Sequence, residues 1–189
     1  MLPNVLTLSR IFSIPFIILC FYFDGFVAHL ISTILFAIAC LTDYFDGYFA
    51  RQWKQVSAFG RFLDPVADKI LVSSILLMLS GFGFISGINL IAAVIILGRE
   101  ILVSGLREFM AEMKLIIHVT KYAKWKTTMQ MISIACLLSS AMFPKFIELK
   151  QAGIVFLWLA AIMTLFTGAR YLHFGVVRMF NEKSEEKSI

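Results

Sequence analysis

Apolar stretches separated by short polar connections set the pattern of this chain. They cover residues 5–23, 30–41, 70–85, 88–106, 129–143 and 154–166. A helix that crosses the hydrocarbon core of a bilayer needs roughly 20 mostly apolar residues, and these stretches meet or approach that length. The pattern therefore predicts an all-α integral membrane bundle of six transmembrane helices.

Composition supports this assignment. Hydrophobic residues make up 60% of the 189 residues, and the mean hydropathy is +0.87, well above that of a soluble domain. The first apolar stretch carries Arg10 and has no small-residue cleavage site, so we expect no cleaved signal peptide. We predict one membrane catalytic domain over residues 1–180 and a charged cytoplasmic tail over 181–189.

Basic residues are distributed asymmetrically between the two ends of the predicted helices. With six spans, both termini share one side with the connections near 50–62 and 107–126. That side holds 15 of the 17 lysines and arginines, and only Lys145 and Lys150 fall on the other. The positive-inside rule then places both termini and the 50–62 connection in the cytoplasm. The short, compact form favours a bacterial cytoplasmic (inner) membrane, with the active site facing the cytoplasm.

Four of the five aspartates lie between residues 43 and 68. Asp43 and Asp46 are spaced i, i+3, and Asp64 and Asp68 are spaced i, i+4, so each pair shares a helix face. Pro65 fits the first turn of a new helix after a short turn. Carboxylates that converge repel one another unless cations lie between them. Hard oxygen donors favour Mg²⁺, Mn²⁺ or Ca²⁺, and four carboxylates are enough for two ions.

Small and basic residues lie between these aspartates. Gly47, Ala50 and Gly60 leave room for a bulky group to approach the helix backbone. Arg51 is close enough along the chain to pair with a phosphate. A single aspartate near a helix end is usually an interfacial residue or a cap, but four at helical spacing favour a functional site.

The order Asp43-x2-Asp46-Gly47-x2-Ala50-Arg51-x8-Gly60-x3-Asp64-x3-Asp68 resembles the signature of the CDP-alcohol phosphotransferases at all of its positions. Members of that family are six-helix membrane enzymes that use Mg²⁺ or Mn²⁺. They transfer a substituted phosphoryl group from a CDP-alcohol to a hydroxyl group and release CMP. The resemblance thus implies a phosphatidyltransferase.

The resemblance also implies a role for each signature residue. Asp43, Asp46 and Asp64 would bind metal, and Asp68 would share an ion and act as the general base on the acceptor hydroxyl. The residues that would line the cytidine nucleotide site are Gly47, Ala50, Arg51 and Gly60.

The acceptor must be inferred from other stretches. Basic residues suited to an acceptor phosphate are Arg10, Arg61, Arg99, Arg107, Lys121, Lys124 and Lys126. Arg99 and Glu100 interrupt an apolar stretch, which predicts an internal pair or a pocket wall. Residues 3–10, 98–109 and 123–131 resemble the branch of the family that joins CDP-diacylglycerol to sn-glycerol 3-phosphate.

Several alternatives stay open from sequence. Phosphatidylglycerol, serine or inositol phosphate would serve the same chemistry as acceptors, and phosphatidylglycerol would yield cardiolipin. A cation transporter is a remote alternative, because its ionisable residues should lie near mid-membrane on several helices. Membrane lipids are expected partners, a homodimer would be common for the family, and no feature indicates nucleic-acid binding.

Overall fold

The computed structural model describes residues 2–53, 58–112, 121–143 and 145–186. Within these ranges, the side chains of 2–6, 44–53, 58–59, 61–62, 112, 121–124, 174 and 176–186 lie outside the description. The described chain contains six helices and no strand: α1 Leu2–Cys20, α2 Phe26–Trp53, α3 Ala58–Gly81, α4 Asn89–Glu112, α5 Lys121–Met142 and α6 Ile147–Glu186. The predicted all-α class and the number of helices are confirmed.

Three of the described helices are long and apolar enough to cross a membrane. These segments are Phe26–Asp43 in α2, Asn89–Ala111 in α4 and Ile147–His173 in α6, and α1 adds a shorter apolar segment, Thr7–Cys20. Asp64, Asp68 and Lys69 lie in the first half of α3 and lower its hydropathy. The chain is thus a helical membrane protein by length and composition, and six membrane crossings stay a prediction.

The helices that carry the aspartates differ in extent from the prediction. α2 continues beyond its apolar segment, through Asp43, to Trp53. α3 begins at Ala58, so Pro65 lies inside the helix and its predicted place in a first turn is wrong. Proline lacks the N–H that would bond the carbonyl of residue 61, and membrane helices tolerate this loss where neighbours compensate. The connection predicted near 50–62 is helical at both ends, and its centre, residues 54–57, lies outside the described residues.

One other connection and the predicted domain boundary also differ from the prediction. α4 runs to Glu112 and α5 starts at Lys121, so the ends of the predicted 107–126 connection are helical and its centre lies outside the described residues. α6 reaches Glu186, and the predicted domain boundary at residue 180 therefore falls within a helix.

Packing divides the chain into two compact units. The first unit comprises Met1–Gly87 and Met131–Val155, and the second comprises Ile88–Gln130 and Phe156–Ile189. A single catalytic domain remains a prediction.

In the first unit, α1 packs against both α2 and α3. Its core includes Ile17, Phe36 and Ile75, all buried. The hydroxyl of Ser133 on α5 donates a 2.7 Å hydrogen bond to the carbonyl of Gly153 on α6. α1 therefore packs against both α2 and α3, which are called here the aspartate helices.

In the second unit, small residues bring α4 and α6 close together. A Cβ atom added at Gly168 would lie 2.9 Å from Cγ of Arg99, and one at Gly175 would lie 2.8 Å from Cδ1 of Leu106. Trp158 Nε1 donates a 2.9 Å hydrogen bond to Oδ1 of Asn89. Small residues at helix contacts are a common means of close packing in membrane proteins.

Candidate active site

The first unit joins a buried arginine to the first signature aspartate. Nη1 of Arg10 on α1 lies 2.8 Å from Oδ1 of Asp43 on α2. The Arg10 side chain is 1% exposed, whereas that of Asp43 is 46% exposed. The ion pair therefore has one partner inside the helical packing and one that reaches solvent.

A second contact from the same helix reaches α3. Thr7 Oγ1 donates a 2.5 Å hydrogen bond to Oδ1 of Asp64, and Thr7 is fully buried. Thr7 and Arg10 are three residues apart and so share a face of α1. One turn of α1 thus contacts a carboxylate on each of the two aspartate helices.

Asp68 lies one turn beyond Asp64 on α3 and is half-buried. Cys40 lies one turn before Asp43 on α2. Gly60, in the first turn of α3, is buried.

The donor chemistry of this site suits a hard divalent cation. Three described carboxylates, those of Asp43, Asp64 and Asp68, lie on the neighbouring helices α2 and α3, and carboxylate oxygens are the donors that such a cation prefers. No group of three or more His, Cys, Asp or Glu side chains in the described part of the chain has the geometry of a metal site. The side chain of Asp46 lies outside that part, so the predicted four-carboxylate set stays a prediction.

For the predicted nucleotide-binding residues on α2, the structure describes the backbone and not the side chains. Asp46, Gly47, Ala50 and Arg51 all lie in the last two turns or so of α2, and their side chains are outside the described residues. Their roles, and that of Gly60, stay predictions.

A second polar cluster lies in the second unit and is called here the basic cluster: Arg99, Arg107 and Lys126, with Glu100. Glu100 Oε1 accepts a short hydrogen bond from Lys126 Nζ and lies 3.6 Å from Nη1 of Arg99. Lys126 and Arg99 are 6% and 9% exposed, and Glu100 is 22% exposed. The structure agrees with the predicted internal pair of Arg99 and Glu100, and it adds Lys126.

Two residues of α6 hold the arginines of the basic cluster. Arg99 Nη2 donates a 3.1 Å hydrogen bond to Thr167 Oγ1, and Arg107 Nη2 donates a 3.3 Å hydrogen bond to the Tyr171 hydroxyl. The Tyr171 ring also lies 5.8 Å from Cζ of Arg99 and 5.1 Å from Cζ of Arg107, within cation–π range. Thr167 and Tyr171 therefore help to orient the two guanidinium groups, and Glu100 is an additional, charged partner of Arg99.

The remaining predicted acceptor residues are distributed differently. Arg10 belongs to the first unit, where it pairs with Asp43. The side chains of Arg61, Lys121 and Lys124 lie outside the described residues.

Sequence reasoning missed three contact residues. Thr7, Thr167 and Tyr171 all lie in helices as ordinary-looking polar or aromatic positions. Thr7 alone had a usable signal, its three-residue spacing from Arg10 on one helix face.

These features define a helical membrane protein with a carboxylate site on two neighbouring helices and a separate basic cluster. The family model for CDP-alcohol phosphatidyltransferase matches residues 1–166. The chain belongs to this family and is a transferase. The family is generally dependent on divalent metals.

The chain is also similar to curated bacterial relatives along nearly its whole length. A relative from Rickettsia bellii is 44% identical over 170 residues, covering 90% of this chain and 92% of the relative. Relatives from Haemophilus influenzae and Salmonella typhimurium are 41% and 40% identical over 173 residues, covering 90% of this chain and 91% and 92% of their own. All three are named CDP-diacylglycerol–glycerol-3-phosphate 3-phosphatidyltransferase.

The pairing of Glu100 generates a stability prediction. Replacing Glu100 with Gln should lower the free energy of unfolding by about 3 kcal/mol, because Lys126 and Arg99 lose their shared counter-charge while largely buried. Thermal unfolding of the purified protein in one detergent measures this loss.

The control is Glu108→Gln, an exposed position on the same helix, which should change stability by less than about 0.5 kcal/mol. The double variant Glu100→Gln/Lys126→Met should recover part of the loss, because it removes the uncompensated lysine charge. A wild-type unfolding temperature for Glu100→Gln would contradict the prediction.

Proposed function

We propose that the chain transfers the phosphatidyl group of CDP-diacylglycerol to sn-glycerol 3-phosphate, giving phosphatidylglycerophosphate and CMP. The observation that carries the proposal is the 44% identity, over 90% of the chain, to a relative named for this reaction. The basic cluster supports it, because an acceptor that bears a phosphate calls for cations.

The proposed chemistry is a displacement at phosphorus. The acceptor hydroxyl oxygen forms a bond to the lipid-side phosphorus of CDP-diacylglycerol, and the bond from that phosphorus to the bridging oxygen breaks to release CMP. Asp68 accepts the hydroxyl proton as the new bond forms. Its half-buried position on α3, one turn from Asp64, supports this role.

Asp43, Asp46, Asp64 and Asp68 are the residues that would hold the divalent metal. We propose Mg²⁺ or Mn²⁺, with two ions shared among the four carboxylates. Bound there, the metal would neutralise the donor pyrophosphate and stabilise the charge that develops on CMP. The all-oxygen donor set supports this assignment.

Gly47, Ala50, Arg51 and Gly60 would line the site for the cytidine nucleotide. Glycine and alanine allow the nucleotide to approach the helix backbone, and a guanidinium can bind two phosphate oxygens at once. All four belong to α2 and α3, the helices that carry the aspartates.

Arg99, Arg107 and Lys126 would bind the phosphate of the acceptor. Their three positive charges exceed the single negative charge of Glu100, and Tyr171 and Thr167 fix the arginine geometry. A neutral or zwitterionic acceptor such as serine would not need this excess. Arg61, Lys121 and Lys124 stay candidates for the same role, and Arg10, engaged by Asp43, is the weaker one.

We also propose that the enzyme lies in the bacterial inner membrane with both termini in the cytoplasm. The support is the distribution of basic residues, since 15 of 17 fall on one side of six spans. A cytoplasmic site would give water-soluble glycerol 3-phosphate access while the acyl chains of the donor stay in the bilayer.

The reaction is tested by CMP release from CDP-diacylglycerol and Mg²⁺ by the purified protein in detergent. We expect release with glycerol 3-phosphate and none with phosphatidylglycerol, serine or inositol phosphate. Release only with phosphatidylglycerol would keep the aspartate chemistry and overturn the proposed acceptor. If no acceptor gives CMP release, the proposed function is wrong.

The general-base role is tested by Asp68→Asn. We expect kcat to fall at least 100-fold, because an amide cannot accept the hydroxyl proton, while most binding of CDP-diacylglycerol is retained. Asp24→Asn, in the connection between α1 and α2, is the matched control and should keep wild-type kcat. Wild-type turnover by Asp68→Asn would exclude the role.

The acceptor role is tested by Arg107→Met. The KM for glycerol 3-phosphate should rise about tenfold, the effect of losing roughly 1.4 kcal/mol of binding, while the KM for CDP-diacylglycerol stays the same. Arg170→Met, an exposed arginine on α6, is the control for loss of charge alone. An unchanged KM for glycerol 3-phosphate would contradict the acceptor role. Arg107 would then serve only membrane orientation or the binding of lipid headgroups.

A further inference from the structure

We infer that Thr7 and Arg10 are positioning residues, through which α1 holds Asp64 and Asp43 in the orientation that metal binding requires. The inference rests on the proposed metal role of these two aspartates and adds residues that lie outside the family signature. It assigns to the first helix a part in the active site that its apolar composition does not suggest.

The contacts of Thr7 with Asp64 and of Arg10 with Asp43 can orient the two carboxylates. Both act on one oxygen of their carboxylate, Oδ1 in each case. Thr7 hydrogen-bonds Oδ1 of Asp64, and Arg10 forms an ion pair with Oδ1 of Asp43. A carboxylate has two oxygens and several lone-pair directions, so a contact at Oδ1 orients the group and the second oxygen is available to a cation. Hydrogen bonds behind metal ligands act in this way in metalloproteins.

The burial of Thr7 and Arg10 keeps water away from their contacts with the carboxylates. Thr7 is 0% exposed and Arg10 is 1% exposed, so neither can exchange its partner freely for water. Asp43, in contrast, is 46% exposed and open to a ligand. A rigid donor behind a more accessible carboxylate limits the side-chain rotamers of the ligand without covering it.

The sequence spacing links the two contacts. Thr7 and Arg10 lie on one turn of α1, yet they reach carboxylates on two different helices. A shift of α1 would therefore change both carboxylates together. This sets the orientation of Asp43 on α2 relative to Asp64 on α3, both within the first unit.

A merely structural role makes a different prediction from a positioning role. If the contacts only anchor α1, variants that remain folded should bind metal as the wild type does. If they position the carboxylates, folded variants should bind metal more weakly. Metal affinity measured without substrates separates the two, because it does not depend on turnover.

The first test is Thr7→Val, which keeps the shape of the side chain and removes the hydroxyl donor. Mn²⁺ binding to the purified, substrate-free protein is followed by the electron paramagnetic resonance of free Mn²⁺. We expect the Kd for Mn²⁺ to rise about tenfold, at the lower end of the effect of removing hydrogen bonds behind metal ligands. Thr7→Ser, which restores a hydroxyl, should bring the Kd to within about threefold of wild type.

Thr33→Val is the matched control. Thr33 lies on α2 and donates a 2.8 Å hydrogen bond to the carbonyl of His29, so the same substitution removes a hydroxyl without touching a carboxylate. Its Mn²⁺ affinity should equal that of the wild type.

The second test is Arg10→Lys, which keeps the positive charge and loses the planar guanidinium. We expect weaker Mn²⁺ binding at unchanged charge, because the ammonium cannot hold Asp43 in the same geometry. This variant also decides the question if Thr7→Val does not fold, as judged by size-exclusion chromatography. Wild-type Mn²⁺ affinity in the folded variants would overturn the inference.

Asp43→Asn and Asp64→Asn separate this inference from the proposed function. If they weaken Mn²⁺ binding and the α1 variants do not, only the positioning role fails. If they leave Mn²⁺ binding unchanged, or the wild type binds no Mn²⁺, the proposed metal site fails and the positioning role fails with it.

Discussion

The carboxylate site depends on the ion pair between Arg10 and Asp43. A charged side chain within a membrane helix is costly unless it is paired, and Arg10 is fully covered by protein. Its partner Asp43 is the last residue of the apolar segment of α2, and the helix continues beyond it to Trp53. Asp43 therefore supplies α1 with a counter-charge for its buried cation, and the pair joins α1 to α2.

The two units handle charge in opposite ways. In the first unit, α2 and α3 carry three described carboxylates, and Arg10 pairs with the one of Asp43. In the second unit, Arg99 and Lys126 share Glu100, and Arg107 bonds the Tyr171 hydroxyl. Opposite charges in each unit limit repulsion among like charges. In a chain that is 60% hydrophobic, such concentrations of charge are the first candidates for functional sites.

Structural features that depend on nearby residues in the sequence could be predicted, and features that depend on contacts between distant residues could not. The six helices follow from apolar stretches, and the faces of Asp43 and of Asp64 with Asp68 follow from helical spacing. Hydropathy does not report where a helix ends, because polar residues extend α2 to Trp53 and α3 accommodates Pro65. The partners Thr7 and Tyr171 depend on which helices pack together. Their contacts join residues 57 and 64 positions apart, and no local pattern encodes them.

The charge of the basic cluster bears on the choice between acceptors. Arg99 and Lys126 share the single carboxylate of Glu100, and Thr167 and Tyr171 bond the two arginines. A phosphate monoester carries close to two negative charges at neutral pH, whereas the phosphodiester of phosphatidylglycerol carries one. The described cations of the basic cluster outnumber its carboxylate, so a monoester matches the cluster better than a diester does. Charge balance thus favours glycerol 3-phosphate over phosphatidylglycerol on grounds independent of sequence similarity.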